Sequence, residues 1–480
     1  MSLILILILP LVAAALCGLA RDGRAGPVIT LTASAAVLIL AARVAFAVAA
    51  GSPVVAVKDL IAVDGLSALI MVLVALVGTT AAIYSWGYMA AGSHESPRLR
   101  LYYASYNLFI FSMLAIPLVV EPTLVWIFVE LTTLSSAMLV SYENTQAALE
   151  AAWKYVALSL MGAAVALLGF LVLFAAMQVA GGGPYTWSGL LGAAPRMPAP
   201  LLETAFLLVL VGFGTKVGLV PLHTWLPDAH SQAPSPVCAL LSGIETTAVL
   251  YVILRFVPVL KAAPGLSIDF WAVAFGLVSV GTAAFLLLQV RDYKRLFAYS
   301  TVEHMGIILV ATGFASAAAS YGAMYQVLAH TLSKSFCFFA AGAVLLATGS
   351  REIAAVRGLI RVSPVAAASL LLGGLAIAGA PPFAVFLGEF SIFKAGLAEG
   401  RYVATALLAL FIAIGFFGTM RHINRMVFGA ADSSAPVRVR LPVSCVTALG
   451  AAAVLVVALG MYVPARLDDL LRLAAAAFTS

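Results

Sequence analysis

Charge is scarce in this chain: 10% of its 480 residues are Asp, Glu, Lys or Arg, while 63% are hydrophobic. Soluble globular domains run at about 25% charged and about 45–50% apolar, so a water-soluble fold of this length is excluded. Cysteine is sparse too. Cys17, Cys238, Cys337 and Cys445 stand singly in or beside apolar stretches, with no C-x-x-C pair to hold zinc or an iron–sulfur cluster. They read as small core residues. No Gly-rich phosphate loop opens a helix after a strand. The longest polar connections, approximately 179–202 and 429–440, are too short to house redox or nucleotide chemistry. The chain is therefore expected to bind no cofactor and no metal, and its net charge of +6 speaks to membrane topology rather than to nucleic acid.

What fills the sequence is apolar runs. A span of about 17–25 apolar residues crosses a hydrocarbon core of about 30 Å as a helix, and backbone groups in lipid must be satisfied within the segment. Fourteen such spans are expected, near 2–20, 28–50, 60–84, 101–120, 123–141, 152–178, 203–221, 237–257, 269–290, 295–314, 321–347, 365–393, 402–428 and 441–463. The fold class is an all-α polytopic membrane protein. The first span lacks an n-region charge and a small-residue cleavage site, and reads as a retained helix. Fifteen Lys and Arg residues, Arg21 and Arg438 among them, fall in odd-numbered connections and seven in the even ones or the tail. That bias places the odd connections in the cytoplasm and both termini outside. The Lys294-Arg295 pair is expected to anchor a cytoplasmic helix end.

Proline breaks two spans. The seventh runs through Lys216 to Pro221 and on through Pro227, Pro234 and Pro236; the twelfth contains Gly379-Ala-Pro381-Pro382. They lie five spans apart, each with a charge close to the break. A matched pair of interrupted spans points to an inverted repeat with the transport site at the breaks. The expected organisation is three N-terminal spans in 1–100, repeat one in 101–257 (spans four to eight), repeat two in 269–428 (spans nine to thirteen), and a final span with a short tail in 441–480.

Ionisable groups at membrane depth cost at least ~2.5–3.5 kcal/mol, so by default they mark an ion pathway. Glu130 sits about 12 Å into the fifth span at about 1.5 Å per residue. Lys216 lies too deep to snorkel comfortably. Burial disfavours both charges and proximity restores them, so a Glu130–Lys216 pair within salt-bridge or one-water distance would act as a switch. In the eleventh span Gln326, His330 and Lys334 recur every four residues and share one face; a histidine there suits proton relay. Glu389, after the twelfth-span break, could end the path. Glu245 is central in the eighth span, as relay group or as a protonated acid bonded to a neighbouring backbone. Glu303 and His304 lie about three turns into the tenth span. Lys394 either joins the path or snorkels to an interface. His223, Asp228 and His230, on the connector after the seventh span, line a half-channel mouth or bond freed backbone groups.

Four stretches carry a family resemblance: Glu150-Ala-Ala-Trp-Lys154-Tyr, Lys216-Val-Gly-Leu-Val-Pro-Leu-His-Thr-Trp-Leu-Pro-Asp-Ala-His230, Asp292-Tyr-Lys-Arg-Leu-Phe-Ala-Tyr-Ser300 and Gly379-Ala-Pro-Pro-Phe. With them the chain resembles the antiporter-like membrane subunits of respiratory complex I, multisubunit cation/proton antiporters and membrane-bound hydrogenases. Val302-Glu303-His304-Met305-Gly306 and Val129-Glu130-Leu-Thr-Thr-Leu-Ser-Ser look most like the component F branch of hydrogenase-four type complexes.

The resemblance implies fourteen core helices with two inverted five-helix repeats. It also implies a Glu–Lys pair at Glu130 and Lys216, a central relay at His330 and Lys334, and a terminal charge at Glu389. Many complex I relatives carry a lysine in the eighth span where this chain has Thr247; Glu245, two residues away, is about 200° around a regular helix. The implied function is proton translocation within a membrane-bound redox-driven complex of a bacterial or archaeal cell membrane. Its partners would be other membrane subunits, lipids and a hydrogenase-like arm with nickel–iron and iron–sulfur subunits. A cation/proton antiporter subunit is the alternative. A structural subunit without transport is a third, although most of the buried charges whose loss would mark it are present.

Overall fold

A helix that is apolar all round has no face for water and must be buried in protein or lipid. Among the described residues, the computed structural model has thirteen helices long and apolar enough to cross a membrane. The twelfth expected span is broken into Pro364–Ile377 and Ala384–Ala398. The structure describes residues 1–20, 23–52, 54–92, 96–265, 267–430 and 439–478; Arg21 and Arg438 lie outside the described residues. The chain is a polytopic, predominantly helical membrane protein.

The eighth span (Ser235–Lys261) and the tenth (Tyr293–Gly313) are almost wholly buried. The first (Ser2–Leu19), second (Gly23–Ala49), thirteenth (Tyr402–Phe428) and fourteenth (Val443–Met461) turn most of their surface outward. Polar groups on the eighth and tenth spans are thereby held away from lipid.

Three boundaries differ from the sequence reading. Residues before Gly65 do not begin the third span: Val54–Val57 and Ile61–Val63 form an antiparallel hairpin, and Asp64 caps the helix by accepting from the Ser67 amide at 3.0 Å. Arg255 clamps that cap with two hydrogen bonds of 2.5 and 2.6 Å to the Asp64 carboxylate. The sixth span begins earlier, at Gln146, because Thr145 supplies an N-cap, so Lys154 lies two turns into the helix. The C-terminal tail holds a further helix, Ala465–Ala476, which buries Leu470, Leu471, Ala474 and Ala475 against the bundle. Its alternation of acidic, basic and apolar residues at helical spacing was the available signal.

Both breaks have the same local form. The seventh span (Ala199–Val217) ends at Gly218, in the left-handed region at φ 90°, three residues before Pro221. The first half of the twelfth ends before Gly379, at φ 75°, three residues before Pro382. Only glycine takes that conformation at little steric cost. The peptide bonds Val220–Pro221 and Pro381–Pro382 are cis.

The sixth (Gln146–Val179) and seventh spans cross closely on Gly162 and Gly212. A Cβ at Gly212 would lie 2.5 Å from the Gly162 carbonyl oxygen and from the Ala166 amide nitrogen. Small residues let membrane helices approach in this way. Gly212→Val is expected to push these spans apart at a cost of about 1–3 kcal/mol. It should lower the melting temperature of the purified protein and displace Lys216, one turn further on. An unchanged melting temperature would show that the crossing tolerates a side chain.

Candidate functional site

Lys216 occupies the last turn of the seventh span, where a cation is favoured by the helix dipole and the break frees backbone carbonyls. One is satisfied by the Trp225 indole, which donates to Thr215 O at 2.7 Å. Lys216 is 1% exposed. Its ammonium donates to the Val129 carbonyl at 2.8 Å and to the Thr133 hydroxyl, both on the fifth span (Pro122–Val140). It also ion-pairs with Glu245 Oε1 at 3.4 Å. Glu245 is fully buried, and the same oxygen accepts from Thr132 at 3.0 Å and from Tyr155 at 2.9 Å. Spans five to eight thus converge on one buried Lys–Glu pair.

The expected pairing takes a different form here. The carboxylate in direct contact with Lys216 is Glu245, not Glu130. Both Glu130 oxygens are buried without a hydrogen-bond partner, within coulombic reach of Lys216 and Glu245. The cause lies in the eighth span, where Leu241–Glu245 is a π-helical turn. Wider turns of this type re-aim side chains and recur at functional sites. Glu245 consequently faces Lys216, while Thr247 faces the eleventh span, 3.5 Å from Thr331 Oγ1. Gly243 within the turn permits the crossing: a Cβ there would lie 2.7 Å from Ser335 Oγ and 3.1 Å from Thr331 O.

A second cluster follows across the eleventh span (Ala317–Thr348). His330 is fully buried and donates from Nε2 to the Ser242 carbonyl at 3.1 Å, while its Nδ1 has no partner. Its ring lies 5.2 Å from that of His304, centroid to centroid. His304 donates from Nε2 to Ile377 O at 2.9 Å, satisfying a carbonyl freed by the twelfth-span break, and accepts from Gln326 at 3.0 Å. Those two partners assign a neutral ring protonated at Nε2. Lys334 is also fully buried and donates to Phe297 O at 2.6 Å and to the Ser300 hydroxyl. Neither His330 nor Lys334 faces lipid.

Two buried carboxylates complete this half, each accommodated by a glycine. A Cβ at Gly379 would strike the Glu389 carboxylate, and one at Gly415 would strike that of Glu303. The six residues Glu130, Lys216, Glu245, His330, Lys334 and Glu389 therefore sit within the bundle, with Glu303 and His304 beside them. Lys394 does not join them; it is exposed.

On the connector, Asp228 bridges Lys154 at 3.3 Å and Arg295 at 2.8 Å. His223 lies beside Tyr299, with ring centroids 6.5 Å apart. Arg295 is partly exposed, its side chain 41% accessible. Lys294 is not: it is 1% exposed and donates to the carbonyls of Ser231 and Ala233, because the connector helix Trp225–Gln232 ends against it. Tyr155, Thr132 and Thr133 were not singled out from sequence; their hydroxyls stand out only once four spans are seen to meet. Among the described residues no group of three or more His, Cys, Asp or Glu side chains is placed to hold a metal ion.

The sequence and the fold have relatives among known proteins. A family model described as NADH:quinone oxidoreductase/Mrp antiporter, TM, matches residues 121–417, and one described as NADH-ubiquinone oxidoreductase (complex I), chain 5 N-terminus, matches residues 57–103. A hydrogenase-4 component F homolog of Methylacidiphilum infernorum (isolate V4) is 37% identical, over 85% of this chain and 86% of its own. Hydrogenase-4 component B of Escherichia coli (strain K12) is 31% identical over 72% of this chain and 52% of its own, so the chain spans about half the length of that relative. A chain of the Mrp complex from Dietzia sp. DQ12-45-1b shares the fold with a TM-score of 0.89 at 20% identity, covering 100% of this chain and 97% of that one.

Proposed function

From the premise that this chain belongs to the NADH:quinone oxidoreductase/Mrp antiporter transmembrane family, we propose that it is the proton-translocating, antiporter-like subunit of a membrane-bound redox-driven complex. Its partners are other membrane subunits and a hydrogenase-type peripheral arm with nickel–iron and iron–sulfur subunits. The chain sits in a bacterial or archaeal cell membrane with both termini outside. The observation that carries this reading is the Lys216–Glu245 ion pair, 3.4 Å long and buried where the seventh span breaks. A cation and an anion so placed change protonation together when either is disturbed.

In this reading redox energy from the partner subunits perturbs the cluster of Glu130, Lys216 and Glu245. The proton then moves by way of Thr247, Thr331 and water to His330, and onward past Lys334 to Glu389. Glu303 and His304 flank that route, His223 and Asp228 lie at its connector, and Lys394 plays no part. Spans four to eight (101–257) and nine to thirteen (269–428) form two inverted repeats, supported by the left-handed glycine three residues before a proline in each broken span.

The test is reconstitution of the whole complex in liposomes, with electron transfer and internal acidification followed together. Proton movement tied to electron transfer and abolished by an uncoupler is expected. Acidification that instead requires an opposing Na⁺ or K⁺ gradient would assign the chain to an antiporter. Turnover with no ion movement would leave it a docking subunit.

A further inference from the structure

His230 is fully buried, and neither of its ring nitrogens has a hydrogen-bond partner. Buried polar groups in native proteins are nearly always satisfied, so such a ring calls for a role. Two buried lysines, Lys294 and Lys334, are both within its coulombic reach. Toward Lys334, the imidazole stacks on Phe338, centroids 4.8 Å apart. Phe338 is one turn from Lys334 on the same helix face, and Phe297, whose carbonyl accepts from Lys334, packs edge-on against it at 6.0 Å.

Lys294 donates to the carbonyls of Ser231 and Ala233, one and three residues after His230. Lys294 also lines a cavity of about 310 Å³ with Glu143, Gln232 and Arg351. Glu143 is exposed, so the cavity opens toward the face of the odd-numbered connections.

We propose that His230 carries protons from this cavity to Lys334, an inlet separate from the Lys216 cluster. Lys294 gives a proton through water to the neutral imidazole. The imidazolium passes one from its other nitrogen, again through water, to the neutral amine of Lys334, and Lys294 regains a proton from the cavity. One proton enters and one reaches Lys334. The inlet rests on the transport reading above.

The test uses the intact complex in liposomes. A wild-type complex that turns over without moving protons would remove the transport reading itself. Given a pumping wild type, His230→Gln and His230→Phe should each lower protons moved per turnover roughly tenfold or more. The phenylalanine keeps the stack on Phe338 and guards against a folding defect in the glutamine variant. In His230→Ala, imidazole added at the cavity face should restore pumping. Thiophene, which fills the space but carries no proton, should not. Undiminished pumping in the Gln and Phe variants, or equal rescue by both rings, would overturn the inlet.

Discussion

Lys216→Met is expected to stop proton movement while the complex still assembles. Methionine matches the length and apolar stem of lysine, so packing around the seventh-span break should survive. The loss of the ammonium strands no charge provided Glu245 goes neutral. Glu245 keeps its donors Thr132 and Tyr155 and can take up a proton, while the Thr133 hydroxyl can turn to its own helix backbone. Transport has no such substitute, because a group that binds and releases a proton is gone. A fall of about a hundredfold or more is the scale for losing a positioned acid–base group. Lys216→Arg sharpens the experiment: guanidinium keeps the charge but does not give up its proton, so it should fail as well. Acidification of liposomes measured against electron transfer decides the matter, and normal pumping by either variant would rule out Lys216 as a carrier.

Much of the bundle was legible in the sequence because long apolar runs leave membrane helices little freedom. The breaks at Gly218 and Gly379 were legible for the related reason that proline cannot continue a helix. The buried charges could be named one by one, since each stands out against leucine and alanine. Their pairing could not. Reading the eighth span as a regular helix puts Glu245 and Thr247 on nearly opposite faces, but the π turn at Leu241–Glu245 sets where each points, and no residue pattern announces a π turn. The mid-helix Gly243 was the nearest hint. Lys294 misled for another reason: a Lys-Arg pair after Asp292 resembles an interfacial anchor, yet only Arg295 reaches the surface. The carbonyls that hold Lys294 come from a connector helix some sixty residues earlier, a contact invisible to any local window.

Glu245→Gln should be the second most damaging single change, and it tests the π turn as much as the residue. All three contacts of Glu245 fall on Oε1; Oε2 is buried with no hydrogen-bond partner. Glutamine can keep the Oε1 contacts through its carbonyl oxygen. Its amide then takes the place of Oε2, where nothing accepts, and Lys216 loses its only direct carboxylate. Breaking a buried pair from one side costs on the order of 3–5 kcal/mol if the remaining charge stays. Lys216 can escape that cost only by going neutral or by drawing Glu130 closer. Pumping per electron is expected to fall about tenfold or more, with a lower melting temperature. Glu130→Gln alone should do less, since Glu130 makes no direct bond to Lys216. The two changes should be non-additive in combination, as neighbours sharing a partner are, because the double variant leaves Lys216 without a carboxylate in reach. Strict additivity would mean that Glu130 and Glu245 act separately. Wild-type pumping in Glu245→Gln would reduce this carboxylate to packing and leave the passage from Lys216 to His330 to water alone.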